Sequence, residues 1–179
     1  MAGSHIVIVG AMAVGKSTVG RLLAARLHRP FRDSDDDLAA TRGVTGRELA
    51  EREGVEALHR WEAEHLLRTL GDPQPMVVAA AASVVDDAAC RAALRGQFVV
   101  WLRAPAPVLA RRLAAEGHRD DHRRRLAGTD AEQLAAGRAD RFAAVADLPL
   151  DTVTDGTTRS PDEIVTTIVT ALPRPLKRR

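Results

Sequence analysis

Gly10-Ala11-Met12-Ala13-Val14-Gly15-Lys16-Ser17 fits the pattern G-x-x-x-x-G-K-[ST]. The two glycines let the backbone curl so that its N–H groups point inward around phosphate oxygens. A helix starting just after such a loop adds partial positive charge. The lysine of such a loop reaches the β and γ phosphates, and the Ser hydroxyl ligates Mg²⁺. The flanking sequence supplies the required context. Ile6-Val7-Ile8-Val9 is a continuous β-branched run, which predicts a buried parallel strand. After Lys16 the apolar residues Val19, Leu22, Leu23 and Leu27 recur at helical spacing. Ala11 to Thr18, with Lys16 and Ser17 at the centre, are therefore the candidate nucleotide-binding residues.

Downstream the pattern repeats. Arg29-Pro30 breaks the first helix, and a short strand is expected around Phe31, running into Asp33-Ser34-Asp35-Asp36-Asp37. Leu38 to Leu70 is expected to be helical, with breaks near Gly43–Gly46 and at Gly54. Asp72-Pro73-Gln74-Pro75 is a turn, and Met76 to Ala80 a third buried strand. A short helix is expected from Asp87 to Leu94, a fourth strand over Phe98–Leu102 and a helix over Pro105–Ala115. Glu116 to Gly128 is polar, Arg-rich and poorly periodic. Thr129-Asp130-Ala131-Glu132 is a capping box opening a helix to about Ala144. Leu148–Val153 is a fifth strand, and Ser160-Pro161-Asp162-Glu163 caps the last helix. Strands alternating with helices predict an α/β fold, a parallel sheet between two helical layers. Ligands on such sheets bind at the carboxyl ends of the strands, where the motifs here fall.

The chain has 179 residues, 45% of them hydrophobic and 28% charged, an ordinary composition for one globular domain. The 26 basic residues include only two lysines, Lys16 and Lys177, so 24 are arginine. In a background this rich in arginine the lysine of the loop stands out, and a compact ammonium is what the loop requires. A net charge of +2 with 3% aromatics and no Tyr argues against a nucleic-acid partner. Trp61 and Trp101 are expected in the core. Cys90 is the one cysteine, so no internal disulfide forms, and His118 and His122 make no metal signature with it. No apolar run is long enough for a membrane span or signal peptide, and a cytoplasmic location with no membrane partner is expected.

Asp33 and Asp35 alternate along the chain and are expected to point to different sides at a strand end. Phosphoryl transfer needs one carboxylate for Mg²⁺ and another to orient or deprotonate the nucleophile. Asp36 and Asp37 are expected only to cap the helix before Leu38.

Together these residues resemble the shikimate kinase family, from Ile6 to about Thr170. The resemblance rests on Gly10–Ser17, Asp33-Ser34-Asp35, Leu58–Glu62, Arg112, Arg119, Arg138 and the Asp151–Pro161 end. It implies a P-loop nucleoside-triphosphate-hydrolase-type three-layer sandwich with a five-stranded parallel sheet. It also implies an ATP- and Mg²⁺-dependent transfer to a hydroxyl of shikimate or a related cyclitol or sugar acid. By that resemblance Ser17 and Asp33 serve Mg²⁺, and Asp35 faces the acceptor hydroxyl. Arg112 stacks on adenine with Pro161 on its other side. Arg119 reaches the transferring phosphate from a lid at 116–128, and Arg138 grips the acceptor carboxylate. Residues 36–70 form the acceptor-binding helical segment of a single domain, which is expected to be a monomer.

The acceptor half departs from the family. Where the family has Phe-Arg-x-x-Glu, this chain has Leu58-His59-Arg60-Trp61-Glu62. His59 thus replaces a second carboxylate-gripping arginine, a loss on the order of 1.5–3 kcal/mol for one bidentate contact. The family's Gly-Gly-Gly after strand three is Ala81-Ala82-Ser83, which reshapes the pocket. The lid reads Arg119-Asp120-Asp121-His122 in place of Arg-Pro-Leu-Leu. The alternatives are a nucleotide-binding module that has lost its acceptor and a nucleoside monophosphate kinase. The latter lacks support from any arginine-rich base-reading segment after strand three.

Overall fold

The computed structural model describes residues 4–116, 137–173 and 176. Strand β1 (Ile6–Gly10) lies at the middle of a five-stranded sheet of order β2-β3-β1-β4-β5, all parallel. The other strands are β2 (Phe31–Asp33), β3 (Val77–Ala79), β4 (Phe98–Arg103) and β5 (Leu148–Asp151). Ile6 to Val9 are fully buried, and they alternate. Ile6 and Ile8 pack with Val19 and Leu23 of α1 (Lys16–Leu27) and with Ile164 and Ile168 of the last helix. Val7 and Val9 pack on the other face with Leu66, Leu94 and Phe142. A strand covered on both faces has no polar side, which is why its sequence is a continuous apolar run.

The helical layers come from α1, α2 (Ser34–Arg42), α3 (Gly46–Glu53), α4 (Val55–Leu70), α5 (Ala88–Leu94) and α6 (Ala106–Glu116). Residues 137–143 form α7, and α8 is Pro161–Ala171. The breaks at Gly43 and Gly54 fall where the sequence places them. The Ser160/Glu163 capping box opens α8 with Pro161 in its first turn. Leu38, Leu49 and Trp61 make a small satellite core among α2, α3 and α4, and Trp61 stacks on His65 at 4.9 Å. Cys90 is buried on α5. The expected capping box at 129–132 and the lid at 116–128, with Arg119, lie outside the described residues, save that α6 extends to Glu116.

Two elements differ from the sequence expectation. A 3-10 helix, Ala82–Asp86, follows β3 directly. The fifth strand stops at Asp151, and a small hairpin pairs Val153–Thr154 with Thr157–Thr158. Its turn is Asp155-Gly156, both at positive φ (51° and 76°), the backbone that a tight antiparallel hairpin needs.

The acidic run also corrects the expectation. Strand β2 ends at Asp33 and α2 starts at Ser34, so Asp33 and Asp35 do not alternate on a strand. Asp33 is the cap, its Oδ1 accepting from the Asp35 N–H at 3.0 Å. Asp36 and Asp37, expected to cap, pair elsewhere. Asp36 meets Arg21 at 2.5 Å, and Asp37 meets Arg32 at 2.8 Å and His65 at 2.7 Å.

Strand register brings the motifs level. Asp33 and Ile8 both align with Ala79, and Gly10 aligns with Leu102. Gly10 adopts φ 144°, and a Cβ there would lie 2.4 Å from the Leu102 carbonyl oxygen. Gly10→Ala is expected to cost about 2–4 kcal/mol, combining backbone strain with overpacking. Urea unfolding checks this; a loss under about 0.5 kcal/mol contradicts the packing described.

Candidate active site

The loop after β1 leads into α1 without a side-chain cap. Gly15 at φ 105° is the N-cap and makes no side-chain hydrogen bond. The first N–H groups of α1 therefore depend on an external acceptor, which a phosphate supplies. Lys16 folds over the loop, its Nζ donating to Gly10 O at 3.0 Å and Ala11 O at 3.1 Å. Ala13 is left-handed at φ 59°. Val14, included among the nucleotide-binding candidates, sends its side chain into the core at 2% exposure. Only its backbone is available to a ligand.

One cleft of about 150 Å³ is lined by Met12, Ala13, Gly15, Lys16, Ser17 and Thr18 from the loop and α1. Asp33, Ser34 and Asp35 enter from the β2–α2 junction, Ala79, Ala81 and Ala82 from the end of β3, and Glu62 from α4. Both carboxylates singled out in the sequence thus reach this cleft, through a helix start and not through strand alternation. Ala11 stays in the loop without lining it. Arg112 half-buries its guanidinium behind the loop, donating to Val14 O at 3.1 Å and Ala13 O at 3.5 Å. Pro161 is exposed at the start of α8, outside the cleft lining.

The remaining acceptor-side residues gather next door. His59 and Ser83 line a neighbouring cavity with Asp86. Arg138, expected to hold an acceptor carboxylate, is instead joined to Asp86: Nε donates at 2.8 Å and Nη2 approaches at 2.6 Å. Burial lowers the pKa of His59, and the Arg138 charge lowers it further against Asp86, so the imidazole is neutral near pH 7. Arg60 is exposed and lines the same cavity as His59.

Glu62 links the two halves. Ser83 Oγ donates to its Oε2. Burial pushes the Glu62 carboxyl up to about 7; the Ser83 hydrogen bond opposes this, Asp35 adds to it, and Arg138 and Lys16 oppose it. A group that feels Asp35, Lys16 and Arg138 together sits at the junction of phosphate and acceptor sides. Glu62 ends the Leu58–Glu62 segment, and that pattern was the available signal for it. Asp86 carries no comparable signal.

The shikimate kinase family model matches residues 12–173. The chain belongs to the shikimate kinase family. A shikimate kinase of Thioalkalivibrio sulfidiphilus is 35% identical over 167 residues, covering 90% of this chain and 85% of its own. A shikimate kinase of Zymomonas mobilis is 33% identical over 175 residues, covering 94% and 93%. The solved shikimate kinase from Acinetobacter baumannii in complex with shikimate matches at a TM-score of 0.77 and 27% identity, covering 94% of each chain. This shikimate kinase family member is an ATP-dependent, Mg²⁺-using kinase acting on a small molecule. No helix among the described residues is long and apolar enough to cross a membrane.

The donor set fits Mg²⁺. Asp33 is 5% exposed, and its Oδ2 has no hydrogen-bond partner although it is buried. Such an orphaned acceptor, in the same cleft as Ser17, fits a cation that takes one or two protein oxygens and completes its shell with phosphates and water.

The raised Glu62 pKa carries a stability consequence. A carboxyl that is harder to ionise in the fold contributes stability below its unfolded pKa, and that contribution is lost as pH rises toward 7. Replacing Glu62 by Gln removes the effect. The stability difference between wild type and Glu62→Gln should shift by about 3 kcal/mol in favour of the variant between pH 4.5 and 8. Urea titrations at both pH values measure this, and a difference that does not change with pH contradicts it.

Proposed function

We propose that the chain transfers the γ-phosphoryl group of ATP to a ring hydroxyl of a small polyol acid, shikimate or a related cyclitol or sugar acid. The observation that carries this is the single cleft in which Lys16, Ser17, Asp33 and Asp35 meet at the carboxyl ends of β1, β2 and β3. The solved relative that binds shikimate and the relatives named shikimate kinase support the acceptor class.

Backbone N–H groups of residues 11–18 and the Lys16 ammonium hold the phosphates, once Lys16 leaves the carbonyls of Gly10 and Ala11. Ser17 and Asp33 hold Mg²⁺, Asp33 through water. When bound, the ion neutralises charge that develops on the phosphoryl oxygens. Asp35 orients the acceptor hydroxyl. The hydroxyl oxygen bonds to the γ phosphorus, the bond to the β–γ bridging oxygen breaks, ADP leaves with that electron pair, and the hydroxyl proton passes to Asp35. Arg112 and Pro161 flank adenine, and Arg119 approaches the transferring phosphate from a lid at 116–128. Arg138, His59, Ala81, Ala82 and Ser83 contact the acceptor, with 36–70 as its binding segment in a single domain. All these groups come from one chain, which supports action as a monomer, and dependence on ATP supports a cytoplasmic setting.

Transfer of labelled γ-phosphate to shikimate tests the reading, with quinate, gluconate and cyclitols in parallel. Turnover is expected on at least one ring acid. Lys16→Met should abolish it. Asp35→Asn should reduce kcat by roughly 10²–10⁴ with ATP affinity retained. His59→Arg should lower the KM for shikimate about tenfold or more by restoring a bidentate cation. No turnover on any acceptor, with normal ATP binding, would instead indicate a nucleotide-binding module.

A further inference from the structure

Asp86 ends the 3-10 helix that leaves β3, so the turn that carries Ala82 to the cleft and Ser83 to the neighbouring cavity also delivers a carboxylate to that cavity. That carboxylate engages two guanidinium groups of α7. Arg138 reaches Oδ2 at 2.6 Å and Arg141 reaches Oδ1 at 2.6 Å. The Arg138 side chain is 14% exposed and that of Asp86 33%. In such partly dry surroundings charge-assisted bonds are strong, and a competitor must replace them in full. Burial would raise the Asp86 pKa, but the hydrogen bonds and charges of Arg138 and Arg141 outweigh it and keep the group ionised. On α4 the position expected to supply a second carboxylate-gripping arginine is His59; the exposed Arg60 beside it also lines this cavity.

We infer that Asp86 is a specificity-determining residue, an internal anion occupying the seat on Arg138 that an acceptor carboxylate would take. This rests on the reading of Arg138 as the acceptor's anion partner. An acid acceptor must displace Asp86 or share Arg138 with it, and two carboxylates on one guanidinium repel. An uncharged polyol with the same ring hydroxyls meets no such competition. The site therefore admits acids weakly and discriminates against them relative to neutral polyols.

Calorimetry of shikimate binding in the presence of ADP and Mg²⁺ tests this with wild type, Asp86→Ala and Asp86→Asn. Steady-state kinetics run alongside, with shikimate and with its uncharged analogue carrying a hydroxymethyl group in place of the carboxylate. Both variants should tighten shikimate about tenfold or more and lower its KM equally. The kcat should stay within about threefold, and the KM of the alcohol should not move. Asn keeps the shape of Asp and carries the test if Ala fails to fold. Shikimate affinity that is unchanged, weakened or undetectable in all three proteins overturns the inference, because Asp86 then only positions Arg138. Equal gains for acid and alcohol overturn it too, since relief of crowding would do the same. Tightened acid binding without turnover on either compound leaves Asp86 in this role and counts against the proposed transfer.

Discussion

The site depends on an uncapped helix start. The loop between β1 and α1 offers the first N–H groups of α1 no side-chain acceptor, and it curls through Gly10, Ala13 and Gly15 at positive φ. Helix-start N–H groups without a side-chain cap are where a phosphate belongs. The loop is held in place by β1, the most deeply buried strand, with Val14 pinned in the core below it. Everything else in the cleft is positioned relative to this turn. Sheet order β2-β3-β1-β4-β5 puts Asp33 and the end of β3 on one side of it. Asp33 and Asp35 then share one cleft with the loop at the switch point of the sheet.

Two electrostatic contrasts follow from that frame. On the phosphate side charges are left open to a ligand: Asp33 Oδ2 is buried without a partner. On the acceptor side Arg138 and Arg141 share one carboxylate, Asp86. His59 is neutral and Glu62 is pushed up to about 7 by burial. The nucleotide half thus offers a buried carboxylate oxygen to a cation, while Arg138 on the other half is already engaged by a carboxylate. His59 and Ala81-Ala82-Ser83 stand on that side where the family pattern has an arginine and three glycines.

The sequence made the frame legible where local signals and burial agree. β1 and α1 are bounded by a β-branched run, a glycine loop and a helix break, and their ends fall as expected. α8 was legible from its capping box. The acidic run was legible as a site but not as a geometry. Five consecutive polar residues carry no apolar marker of where a strand yields to a helix, so the cap fell to Asp33 where Asp36 and Asp37 were expected. The hairpin at 153–158 has its signal in Asp155-Gly156, but Leu148–Val153 also reads as one continuous strand and hides where the hairpin begins. The Asp86–Arg138 pair joins residues far apart in the chain, and no spacing rule reaches it. Glu62 lay inside a recognised pattern, but its altered proton affinity depends on burial that periodicity does not measure.

The central claim is that one cleft holds both the phosphates and the acceptor, with Asp33 and Asp35 dividing the work. A crystal structure with ADP, Mg²⁺ and shikimate tests it most directly. The account predicts Asp33 in the water shell of the ion, Asp35 on a shikimate hydroxyl, and Arg138 drawn from Asp86 toward the shikimate carboxylate. Shikimate bound away from Asp35, or Mg²⁺ held without Ser17 or Asp33, would contradict it.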